Sequence, residues 1–135
     1  MEHRPVKNAQ SAMFIAQRGE LARIRAFVED FCARTGFPRE GGLRLNVVLE
    51  ELFVNTVTHG HRGDKDAPVW VTLDRRAAGV RVTYEDTAPP FNPLAYTVEM
   101  ERVGGLGVLL TRELATAREY GYLFGRNRIR LSLAG

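Results

Sequence analysis

The chain has 135 residues, 44% hydrophobic and 26% charged, a balance that suits one globular domain with a single core. Its formal charge of +3 comes mostly from arginines scattered along the chain, so no dense basic block tracks a nucleic-acid backbone and direct nucleic-acid binding finds no support. The single cysteine cannot form an internal disulfide, the start "MEHRPVKNAQ" lacks the apolar core of a secretion signal, and no apolar run approaches a membrane span; a cytoplasmic location without membrane contact is expected.

Residues 1–10 read as a polar leader to a single domain covering 1–135. "SAMFIAQ" reads as a strand. Leu21, Ile24, Phe27, Val28 and Phe31 then recur at helical spacing, and "TGFP" supplies a glycine stop and a proline, which predicts a first helix over 19–35. A second helix should run from about 38 to 59 with Leu45, Val48, Leu49, Leu52 and Thr56 on its core face, its first turn weakened by Gly41 and Gly42. "HGHRGDKDAP" is a polar loop. "VWVTLDR" and "VRVTYED" alternate at period two around a "RAAG" turn, which makes them an antiparallel pair.

"TAPPFNPL" is a loop, because its three prolines remove backbone donors and fix extended or turn geometry. "GGLGVLLTRELATA" should become helical at Val108, with Leu109, Leu110 and Leu114 toward the core. "REYGYLF" and "RIRLSL" form a last hairpin around "GRN". The order β, α, α, β, β, loop, α, β, β, with strands mostly in hairpins, predicts an α/β two-layer sandwich: a mixed, mostly antiparallel sheet with helices on one face.

Three polar elements carry the chemistry. In "EELFVNTVTHG", Glu51, Asn55 and His59 recur every fourth position and share one side of the second helix. Asp86 closes a strand in "EDTAPPF", and "GGLG" opens the third helix. Each alone has a bland reading: a solvated helix face, a turn residue, a helix entry. Together they ask for one ligand. Backbone N–H groups in a glycine-rich helix start suit phosphate, and phosphates bring magnesium, for which the Asn55 carbonyl suffices as a protein oxygen. Glu51, one turn away, can accept a proton from an attacking hydroxyl. Asp86 can accept a hydrogen bond from an exocyclic amine such as that of adenine.

These segments resemble the boxes of the GHKL, or Bergerat-fold, ATPases. "LEELFVNTVTHG" is similar to their N-box, "EDTAPPFNPL" to the adenine box, and "GGLGVLLTRELATAREYGYLFGRNRIRL" to the glycine box with the closing strands. Box order, short length and the "PFNPL" and "GRNRI" surroundings are most similar to the anti-sigma factor serine kinases of bacterial partner-switching systems, over roughly 14–133. The resemblance implies a Bergerat fold with ATP and Mg2+ as cofactors. It gives Glu51 as general base, Asn55 as the magnesium ligand, His59 as the polar residue closing the box, and Asp86 as the acceptor of the adenine amino group. Gly104, Gly105 and Gly107, with Leu106 between them, become the phosphate-side border of a short lid, and Phe91 the lid's apolar root. Glu50 should point elsewhere, since successive helical residues diverge by about 100°. The implied partners are an anti-sigma-factor antagonist protein as phosphorylation substrate, a sigma factor, and a second copy in a homodimer.

Two positions depart from the family pattern. Ala88 stands where the adenine box usually has glycine, and Thr116 where an acidic residue is frequent. Ala88 keeps a second reading open, that of a nucleotide-binding or nucleotide-free interaction module without kinase activity. His61, Asp64 and Asp66 match no zinc spacing, Cys32 reads as a small buried residue, and Trp70 as core or sheet surface.

Overall fold

Alternating strands and two helices of 3.6-residue period give this chain one dry side per element, and the architecture follows from pressing those sides together. The computed structural model describes residues 8–92 and 114–135. These form β1 (Ala9–Ile15), α1 (Leu21–Thr35), α2 (Arg39–Asn55), β2 (Pro68–Arg76), β3 (Gly79–Asp86), β4 (Ala115–Leu123) and β5 (Arg126–Ala134). The sheet order is β1-β2-β3-β5-β4, and all four pairings are antiparallel. Both helices lie on one face, so the fold is the expected two-layer sandwich, with its sheet at the antiparallel end of the expectation.

The core is the shared dry face. Phe14, Val69, Val71, Leu73, Val80, Val82, Tyr84, Ile129, Leu131 and Leu133 from the strands meet Ile24, Val28, Phe31, Leu45, Val48, Leu49, Leu52 and Phe53 from the helices. Burying each large aliphatic or aromatic side chain contributes about 1.5–3 kcal/mol. The opposite face of the sheet is wet. There Arg126 holds its guanidinium 3.7 Å from the centroid of the Trp70 ring and also pairs with Glu85 at 3.4 Å.

Gly36 stops α1 in the left-handed conformation, φ 72°. Gly41 and Gly42, expected to weaken the next helix, have a packing role instead. A Cβ on Gly42 would lie 2.7 Å from Cys32 Sγ, and one on Gly41 would lie 2.8 Å from the Phe37 ring. The missing side chain of Gly42 lets α2 close on α1 and that of Gly41 makes room for the Phe37 ring between the helices' ends, and these contacts offset the intrinsic helix cost of about 1 kcal/mol per glycine.

Three boundaries differ from expectation. The second helix is α-helical only to Asn55, and Thr56–Gly60 continues it as a wide π turn, closed by His61 N–H donating to Thr56 O at 2.8 Å. The Thr58 hydroxyl bonds back to the Val54 carbonyl at 2.7 Å, a pattern that bends helix ends, and the Thr56 hydroxyl lies 3.1 Å from the Leu52 carbonyl. In the last hairpin the turn is Phe124–Gly125, both with positive φ of 53° and 75°, as a type I′ turn requires. The expected "GRN" turn is displaced by it, so Arg126 and Asn127 belong to β5. Residues 115–117, expected to finish a helix, begin β4 and pair with β5, where ladder bonding overrides the helix preference of alanine. The remainder of that expected helix, from Val108 through Glu113, lies outside the described residues.

Candidate functional site

The site is built around the last residue of β3. Strand alternation turns Asp86 to the inner face, next to α2, and leaves it 7% exposed, a placement that demands hydrogen-bond partners. Thr56 Oγ1 lies 2.7 Å from Asp86 Oδ2 and 2.6 Å from the hydroxyl of Tyr84. Burial pushes the Tyr84 phenol well above its ordinary value, with the Thr56 bond opposing and the nearby Asp86 charge adding to the effect. The Thr56 proton has two acceptors in reach, Asp86 Oδ2 at 2.7 Å and Leu52 O at 3.1 Å, and goes to the nearer, charged one; the neutral Tyr84 hydroxyl then donates to Thr56 Oγ1, with Leu52 O at 3.2 Å as its longer alternative. Asp86 Oδ1 accepts from Asn127 Nδ2 at 2.9 Å and from the Ala88 N–H at 3.2 Å. A carboxylate offers about four acceptor sites. Among the described residues three are taken, which leaves one open on Oδ2.

Asn127, on β5, is 4% exposed and uses both ends of its carboxamide. Besides Asp86, its Nδ2 reaches the carbonyls of Ala88 and Pro89, each at 3.0 Å. Its Oδ1 accepts from the Phe91 N–H at 2.9 Å and from the Tyr120 hydroxyl. Burial raises the Tyr120 phenol, against the lowering effect of the Phe91 N–H, so it remains a donor.

Asn55 ends α2 and lines one cavity with Thr56, Gly60, Asp86, Ala88 and Asn127. It is 6% exposed, and its Nδ2 is buried with no hydrogen-bond partner among the described residues. The orphaned Nδ2 is a donor and suits an acceptor such as a phosphate oxygen, while the Oδ1 of the same carboxamide is the atom that could serve as one of the one or two protein oxygens a hard cation needs. Glu51, one turn earlier, is part-buried. Burial raises its carboxyl above 4.5, and the charge of His59 pulls it back. His59 is exposed and faces Glu51 across the onset of the π turn. Glu50 is turned away as expected: its Oε2 accepts from Asn46 at 2.8 Å and from Arg25 at 3.1 Å, tying α2 to α1.

Ala88 is 2% exposed, and its φ is not in the positive range, where only Arg62 and Phe124 fall among described non-glycine residues. Its methyl group occupies the place where a Cβ on Gly60 would collide, at 2.8 Å. The alanine therefore fits without backbone strain because residue 60 is glycine. Phe91 lines the same cavity. Gly104, Gly105, Leu106 and Gly107 lie outside the described residues.

Sequence reasoning missed three members of this site. Thr56 was assigned to core packing, where its apolar neighbours put it. Asn127 was assigned to the turn, and a one-strand view of "RNRIRLSL" starting at Arg126, with Asn127 in phase with Ile129 and Leu131, is the signal that finds it. His61 sits where the Asp86 charge reaches it. Burial lowers its imidazole more than Asp86 raises it, and its Nε2 has no partner among the described residues.

Residues 14–133 match the sequence model of the Histidine kinase-like ATPase domain. No curated protein matches the chain. Among solved structures, the fold is similar to the crystal structure of the RsbU and RsbW domains of Rv1364c from Mycobacterium tuberculosis, with a TM-score of 0.64 at 16% identity over 93% of this chain. The match spans 32% of that longer chain.

Proposed function

We propose, on the premise that this chain belongs to the histidine kinase-like ATPase domain family, that it is an ATP- and magnesium-dependent serine kinase of the anti-sigma type. Its substrate would be a small anti-sigma-factor antagonist protein, and in its alternative state it would sequester a sigma factor. The observation that carries the reading is the acceptor site on Asp86 left open among the described residues, in the same cavity as the Asn55 Nδ2 that has no partner among them. The open site suits one amine hydrogen of adenine. A base with a carbonyl at that position would meet a carboxylate with no proton to offer.

The Asn55 side-chain carbonyl would hold magnesium, which when bound supplies neutralising charge to the phosphates. In the transfer, the serine Oγ forms its bond to the γ-phosphorus as the bond to the ADP oxygen breaks, and the serine proton goes to Glu51. The burial that raises the Glu51 carboxyl makes it a stronger base than an exposed glutamate. Radiolabelled ATP and a purified antagonist protein test the reading. Glu51→Gln should retain nucleotide binding and lose transfer by about a hundredfold or more, the usual scale for a lost general base. Transfer at the wild-type rate removes Glu51 from the mechanism. A second reading, an interaction module that transfers nothing, is favoured by Ala88, whose methyl lies against the cavity where the family pattern has none. Labelled phosphoserine eliminates it.

A further inference from the structure

Asn127 meets too many atoms of one short segment to be a passive filler. The chain from Asp86 to Phe91 leaves β3 and winds around a side chain that comes from β5. That side chain touches an Asp86 carboxylate oxygen, two carbonyls and an N–H of the segment. Its Nδ2 has two hydrogens and three acceptors within about 3.0 Å, so the hydrogens are shared. Tyr120, from β4, holds the other end of the amide and accepts from the Phe91 N–H at 3.2 Å.

We propose that Asn127, steadied by Tyr120, is a positioning residue that fixes the orientation of the Asp86 carboxylate and the path of residues 87–91 as one unit. The inference deepens the nucleotide reading of this site and rests on it for the ligand, whereas the clasp itself exists in the ligand-free chain. Coupling of this kind is reciprocal: a ligand that engages Asp86 tightens the segment, and whatever tightens the segment favours the ligand.

The test uses Asn127→Ala, with Tyr120→Phe as a gentler variant that keeps the ring and removes only the hydroxyl. Calorimetry compares ATP with purine riboside triphosphate, which lacks the 6-amino group. If Asn127 positions Asp86, Asn127→Ala weakens ATP by about tenfold, the equivalent of one net hydrogen bond at 1.4 kcal/mol, and leaves the analogue within about threefold. Tyr120→Phe shows the same split at smaller size. A merely structural lesion weakens both nucleotides alike, and that outcome overturns the proposal. Independently, hydrogen exchange on the ligand-free chain should show the Phe91 amide less protected in Asn127→Ala and less protected still when Tyr120→Phe is added, since the two residues share that N–H; protection unchanged in the double variant also overturns it. If the wild-type chain binds neither nucleotide, the nucleotide reading fails while the exchange result still decides the clasp.

Discussion

Two carboxylates on neighbouring elements are treated in opposite ways by their surroundings. Asp86 is surrounded by donors and holds them in place, whereas Glu51 is part-buried, and among the described residues the charge of His59 is what offsets its desolvation. Thr56→Val removes the donor to Asp86 Oδ2 while keeping shape. Leaving a buried acceptor short of its partner costs about 1–3 kcal/mol, so urea unfolding should show a loss of that size; a loss under half a kilocalorie per mole means the Thr56 proton goes elsewhere. For Glu51 the sign is reversed. A carboxyl whose folded value is raised above 4.5 binds its proton more tightly in the folded chain, so stability falls as pH climbs from 4.5 through the folded value. Glu51→Gln escapes that loss. Its melting temperature should exceed the wild type's at pH 8, and the gap should close below pH 4.5, where both side chains are neutral; a gap independent of pH contradicts the burial effect.

At the scale of elements, the α1–α2 contact depends on Gly42 opposite Cys32. An alanine at 42 gains about 1 kcal/mol of helix propensity and meets Cys32 Sγ at 2.7 Å, an overpacking that costs about 1–3 kcal/mol. The two terms nearly cancel in the single variant, so the informative quantity is the coupling. A double-mutant cycle of Gly42→Ala with Cys32→Ala should give an interaction of about 1 kcal/mol or more in favour of the pair; additivity shows the helices sit farther apart. The same contact explains what could be read in advance. The core faces of both helices and the β2–β3 hairpin were legible, because periods of 3.6 and 2 are local properties. Gly42 was not, because its reason lies on another helix. Nor was the π turn, which accompanies the Thr58 bond to the Val54 carbonyl and places Thr56 beside Asp86. Asn127 was hidden by its setting: "FGRN" holds two overlapping turn signals, and only the pairing with β4 chooses Phe124–Gly125. Glu51, Asn55 and Asp86 were legible as chemistry, and the partners of Asp86 were not, since Thr56 and Asn127 lie 30 and 41 residues away in sequence.

For the molecule as a whole, the site sits where the helix layer, the central strands and the 87–91 segment meet, so occupancy should be felt globally. A ligand that binds only the folded chain stabilises it by about 2.7 kcal/mol at a hundred times its dissociation constant. Mg·ATP should therefore raise the melting temperature by several degrees, and chelation with EDTA should remove most of the rise. Asp86→Asn should show no rise at all, because the amide presents a donor to the adenine amine. A shift retained in that variant would place the nucleotide elsewhere. Among the described residues no helix is long and apolar enough to cross a membrane.

Trp70 is the protein's single tryptophan. It stands on the wet face of β2 beneath the Arg126 guanidinium, adjacent to Val69, the cross-strand partner of Asp86. All indole emission from the chain thus originates one residue from the register position of the proposed base-reading carboxylate, with a cation over the ring. The protein carries its own optical probe: any event that shifts β2 against β3 or loosens Arg126 from β5 changes the brightness and colour of one fluorophore, with no label attached.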